Sequence, residues 1–140
     1  MKVFFRLFGA AILVFAVHLC AEHFGVYGIW TWSDGPMHFA GGVAMAIMAL
    51  ELERLVLKRA QASSSIPTLY RFVAIVGFVA IIGIAWEWFE YGLDHYVTFV
   101  RDMIGISQPS IGDTMADLFF DLAGGTCTFI LSLVFFRHKN

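Results

Sequence analysis

The sequence predicts an all-α polytopic membrane protein, a bundle of four transmembrane helices forming a single domain over residues 1–140. Composition is the first reason. Hydrophobic residues make up 59% of the chain and charged residues 14%, with a mean hydropathy of +0.76, which is more apolar surface than a soluble domain of this length can hide. Length patterning is the second. A hydrocarbon core of about 30 Å takes about 20 helical residues at roughly 1.5 Å each, and four stretches come close to that, at about 4–23, 37–57, 71–93 and 113–136.

The first stretch follows Lys2 and Arg6, as the core of a secretion signal would. Its apolar run continues past Cys20 without a convincing small-x-small cleavage site, so it is expected to remain as a helix. Phe24, Tyr27, Trp30 and Trp32 then cluster as an interfacial aromatic belt. The second stretch ends in a charged turn, Glu51 to Arg59, and the serines at 62–65 with Pro67 form the clearest linker. The third begins at Tyr70 and Arg71, and residues 94–112, with Gly105, Pro109 and Gly112, read as a loop before the fourth. Gly41-Gly42, Gly83 and Gly124-Gly125 fall within helices, where small residues let backbones approach closely.

Eight of the nine lysines and arginines fall at the termini or around the linker, leaving Arg101 alone on the other side. The positive-inside rule then places both termini and the 58–70 linker in the cytoplasm, a pattern that requires an even number of crossings. A net charge of -2 gives no basic footprint, so nothing supports nucleic acid as a partner. Cys20 and Cys127 lie inside apolar runs and read as small hydrophobes, with no zinc-type spacing.

With that topology, the polar residues of each helix fall on one face and at one depth, in the outer half of the membrane. His18 and Glu22 share a face of the first helix; His38 opens the second; Glu87, Glu90 and Asp94 stripe the third; Asp113, Asp117 and Asp121 stripe the fourth. A carboxylate at a helix centre costs about 3 kcal/mol on the insertion scale. Such groups must face the bundle interior and be compensated by protons, by the histidines or by a bound cation. Carboxylate oxygens and imidazole make a reasonable site for magnesium, calcium, manganese or zinc. The candidate metal ligands are His38, Glu87, Glu90, Asp113, Asp117 and Asp121. Glu22, Asp94 and Asp113 also fit a solvated position at the membrane surface, and His18 fits a hydrogen-bonded core residue.

Three motifs, His38-Phe39-x-x-Gly42, Trp86-Glu87-x-x-Glu90 and Asp113-Thr114-x-x-Asp117-Leu118-x-x-Asp121-x-x-Gly124, occur in this order on successive helices. Together they resemble the YjdF-like inner-membrane proteins and, more distantly, the VanZ-like family, over about residues 34–130. The resemblance implies a small multi-pass protein of the bacterial inner membrane, with an envelope-related role on the VanZ-like side. The acid series is complete here and Arg101 stands twelve residues before Asp113, which departs from the VanZ-like pattern and favours the YjdF-like branch.

The function expected from these residues is an outward-facing polar site that binds a cation or a metal-bridged envelope or lipid ligand, with a divalent metal as the cofactor and membrane lipid as a partner. One alternative is a metal-dependent membrane enzyme acting on a lipid head group or envelope precursor. The other is a structural scaffold whose acids fix helix register. A continuous proton pathway is disfavoured, because residues 72–82 and 126–136 are almost wholly apolar.

Overall fold

The computed structural model describes residues 1–30, 32–61, 66–97, 99 and 110–136, and these are helical with no strand among them. Helix α1 spans Lys2–His23, α2 Val26–Ile29, α3 Asp34–Arg59, α4 Thr68–Tyr96 and α5 Ile111–Phe136. Arg101, Gly105, Pro109, Arg137 and Lys139 lie outside the described residues.

Local chemistry sets the boundaries. Gly25 takes a left-handed φ of 63°, which breaks α1 and starts the single turn of α2 inside the aromatic segment. Helix α3 begins at Asp34, three residues ahead of the apolar pattern. Pro36 is tolerated there because first-turn N–H groups have no helical acceptor, and Asp34 complements the helix dipole. At α5 the Ser110 hydroxyl accepts the Asp113 backbone N–H at 3.1 Å, a side-chain cap on the first turn.

Among the described residues, three helices are long and apolar enough to cross a membrane: Lys2–His23, Thr68–Tyr96 and Ile111–Phe135. Helix α3 is not, although its 26 residues would suffice in length, and this corrects the expectation of four transmembrane helices to three that are apolar enough to span. The reason lies in its position. It packs against α1, α4 and α5, so its buried positions are Gly35, His38, Gly42, Ala44, Ala46 and Ala49 rather than large apolar residues. By contrast α1 has no buried residue and presents Phe4, Phe5, Ile12, Leu13 and Leu19 outward. An apolar surface of that extent is unusual for a soluble monomer.

Contacts along the axes give the topology. Gly35 faces the Phe120 ring and Gly124 faces the Phe39 carbonyl, so α3 and α5 run parallel. Gly125 lies against Val79 and Phe129 against Phe72 at 5.5 Å, so α4 runs antiparallel to both. Arg6 of α1 reaches Glu51 of α3 at 3.9 Å, which makes α1 antiparallel to α3. The result is an up-down-up-down bundle with two unlike halves. One half is an apolar core of Ala46, Ala49, Ile75, Val79 and Phe129. Beyond it the Arg71 guanidinium makes two 2.8 Å hydrogen bonds to Glu53, and Arg54 pairs with Glu51. The other half is polar.

The α3–α5 crossing is closer than side chains allow. A Cβ at Gly42 would overlap the Asp121 carbonyl, and one at Gly124 would overlap the Phe39 carbonyl. Each helix thus presents its glycine to the other's backbone, the arrangement expected of Gly41-Gly42 and Gly124-Gly125 where lipid supplies no hydrophobic drive for association.

Candidate functional site

The close crossing determines what the polar half can do, because it brings α5 carboxylates against an α3 imidazole. His38, only 7% exposed, occupies the centre. Its Nε2 lies 3.8 Å from Asp34 Oδ1 and 3.9 Å from Asp117 Oδ1, and its Nδ1 lies 3.5 Å from Asp121 Oδ2. Asp121 is seated by glycines on two sides. A Cβ at Gly83 of α4 would stand 2.5 Å from Asp121 Oδ2, and one at Gly41 of α3 would stand 3.5 Å from Oδ1. Glycine at both positions lets a short carboxylate reach the junction of three helices.

Among the described residues, two groups of ligand-type atoms lie within 4.8 Å of one another: Asp34, His38 and Asp117, and His38, Glu87 and Glu90. His38 belongs to both. The carboxylates of Glu87, Glu90, Asp117 and Asp121 are all buried, as a shared site requires. Asp113 is only half-buried, in the first turn of α5, and joins neither group. Asp94, expected near the surface, is 6% exposed at the end of α4. Glu22 is half-buried and belongs to neither group.

Asp34 is the site residue that the sequence reading omits. Its signal is the spacing Asp34-x-x-x-His38, which puts both side chains on one face once the helix starts at 34 rather than 37.

The distances admit two ways of compensating these charges, an imidazolium ion-paired with the three aspartates or a cation that they share with the neutral ring. At 3.8 and 3.9 Å, His38 Nε2 is too far from Asp34 and Asp117 for hydrogen bonds. Adjacent ligands lie about 3.0–3.4 Å apart around an ion bound at about 2.1 Å and about 3.4–3.9 Å apart around one bound at about 2.4 Å, so these separations suit a larger cation directly and a smaller one after the side chains draw in by a few tenths of an ångström. Asp121 occupies the other ring nitrogen. A carboxylate there accepts the Nδ1 proton and directs the Nε2 lone pair toward the ligand position, as supporting carboxylates do for metal-binding histidines. One imidazole with several carboxylates accepts manganese or zinc, and through its oxygens magnesium or calcium.

A cavity of about 140 Å³ adjoins this cluster between α1, α3 and α4. Its polar end carries His18, Asp34, His38 and Asp121; the rest is lined by carbon, from Ala11 and Val14 of α1 to Ala44, Val79 and Ile82. His18 shares a 2.9 Å hydrogen bond with the Tyr27 hydroxyl and packs edge-on to Trp86 at 5.3 Å, consistent with a held core histidine. Burial, followed by the nearby Asp34, Glu22 and Glu90 charges, pushes the Tyr27 phenol well above its ordinary pKa, so it stays protonated across the neutral range.

Among known proteins, the family described as a predicted membrane protein (DUF2238) matches residues 4–139, and the chain belongs to that family. It is accordingly a membrane protein. No curated protein and no solved structure matches it.

Proposed function

We propose that this membrane protein holds a divalent cation at His38 in the polar half of its bundle, and through it binds an envelope or lipid ligand at the outer face. The carrying observation is that His38 Nε2 stands 3.8 and 3.9 Å from two carboxylate oxygens, with Asp121 on its other ring nitrogen. Asp34 and Asp117 are the nearest co-ligands, with Glu87 and Glu90 as the second set sharing His38. Equilibrium dialysis of the purified full-length chain against Mn²⁺, Zn²⁺, Ca²⁺ and Mg²⁺ tests this. One ion bound per chain is expected for at least one of them; no ion retained for any would remove the proposal.

In this reading α3 is the fourth crossing, its small-residue face packed against α1, α4 and α5 and its Phe39, Ile47, Leu52 and Val56 turned outward. The site then faces outward, and both termini and the linker are cytoplasmic in a bacterial inner membrane. Lys2, Arg6, Arg54, Lys58, Arg59 and Arg71 at the opposite end of the bundle support that orientation. The three ordered motifs support placement near the YjdF-like branch. Reporter fusions after residues 64 and 140 should both report the cytoplasm. Periplasmic activity at either point would overturn this topology.

One observation favours a metal-dependent enzyme as the second reading. The cavity brings Asp34 and His38 within reach of a bound molecule, which is what a cation polarising a phosphoryl oxygen would need.

A further inference from the structure

The cavity beside the cluster has two ends of opposite character, and no inorganic ion would fill it. From His18 to Ala11 along α1, and from Trp86 to Val79 along α4, it extends about 10 Å toward the bundle centre. Over most of that length its walls are carbon. Its volume of about 140 Å³ is close to that of apolar cavities that stay dry and take up small hydrocarbons, about 150 Å³. At the other end stand the carboxylates of Asp34 and Asp121 with two histidines, and no described lysine or arginine lines the cavity. Trp86 and Phe15, whose rings meet edge to face at 6.3 Å, form the wall between α1 and α4 near that end.

We infer that this cavity takes an amphiphilic organic cation, its ammonium head against Asp34 and Asp121 and its hydrocarbon chain in the slot between α1, α3 and α4. Charge and shape each select it. An anionic head would face two carboxylates, and a neutral one would add nothing to what His38 alone offers them. A small hydrated cation would leave the apolar length without contacts, whereas a short alkyl chain fills it. This inference rests on the reading of the His38 cluster as a cation site and names the class of cation that its open side accepts.

The test uses the full-length chain in a neutral maltoside detergent with a chelator present. Trp30, Trp32 and Trp88 are replaced by phenylalanine so that Trp86 reports alone. The probes are hexyltrimethylammonium, tetramethylammonium, hexanol and hexyl phosphate. Hexyltrimethylammonium is expected to bind at least tenfold more tightly than each of the others. Val14→Phe, which fills the slot, and Asp121→Asn, which removes the charge, should each weaken it at least tenfold. Ile12→Phe, on the exposed face of the same helix, should leave it unchanged. Hexanol binding as tightly would overturn the role of charge, and tetramethylammonium binding as tightly would overturn the role of the slot. Hexyl phosphate binding most tightly once Mn²⁺ replaces the chelator would overturn the inference in favour of a metal-bridged anion. The probe comparison in the parent chain decides the matter even where a variant fails to fold. Retention of Mn²⁺ in dialysis without hexyltrimethylammonium binding would remove this inference and keep the metal site. Hexyltrimethylammonium binding without any divalent ion would keep the inference and remove the metal.

Discussion

Replacing Gly42 or Gly124 with leucine is expected to abolish the folded bundle, and replacing either with alanine should destabilise it by about 1–3 kcal/mol, the usual cost of overpacking. The atoms in the way are backbone carbonyls, of Asp121 and Phe39, so no rotamer change relieves the overlap and α3 must move off α5. Gly77→Ala is the control. A Cβ there meets nothing within 4 Å, and alanine is the better helix former. Thermal unfolding in detergent, with gel filtration to verify the folded state, separates the cases. If Gly42→Ala and Gly77→Ala melt together, the two helices do not cross this closely.

The second large effect is expected at His38. Because it belongs to both ligand groups, His38→Ala should eliminate measurable divalent-cation binding. Asp117→Asn or Glu87→Gln removes one member of one group and should cost less. Asp121→Asn keeps an acceptor for the Nδ1 proton but loses the charge that raises the basicity of the imidazole, and should weaken affinity about 10–100-fold. Dialysis on the four variants gives the order directly. An unchanged affinity in His38→Ala would move the ion elsewhere or remove it.

Much of this architecture was legible in the residues themselves. The i, i+4 steps of Asp113, Asp117 and Asp121 fix one face of α5, and Glu87 and Glu90 fix one face of α4. A buried meeting place follows from the cost of exposing them to lipid. The glycine pairs announced a close approach, although not which helices would meet. What the sequence could not convey was the unequal environment of the helices. Helix α3 carries glycines, alanines and His38 on the face it packs against the other helices, and hydropathy alone cannot separate that situation from a weaker membrane span. The same limitation hid Asp34. An apolar pattern starts at residue 37, whereas the helix starts at Asp34, where the helix dipole and the tolerance of Pro36 in a first turn matter more than hydropathy. Asp113 was grouped with its stripe because periodicity defines a face; it does not say how far along that face the neighbouring helices remain in reach. The cavity between α1, α3 and α4 has no sequence signature at all, since Ala11, Ala44 and Val79 are ordinary helix residues until their neighbours are known.

The central claim, that a divalent cation sits among Asp34, His38 and Asp117, is tested most directly by thermal unfolding of the purified full-length protein with and without a chelator. An ion present at about 100 times its dissociation constant stabilises the folded state by about 2.7 kcal/mol. Adding chelator should therefore lower the midpoint of the parent chain, restoring Mn²⁺ or Zn²⁺ should recover it, and the midpoint of His38→Ala should not respond to either. A parent chain whose midpoint is the same with chelator and with metal, from neutral to mildly alkaline pH, would contradict the account and leave the acids as protonated or packing groups.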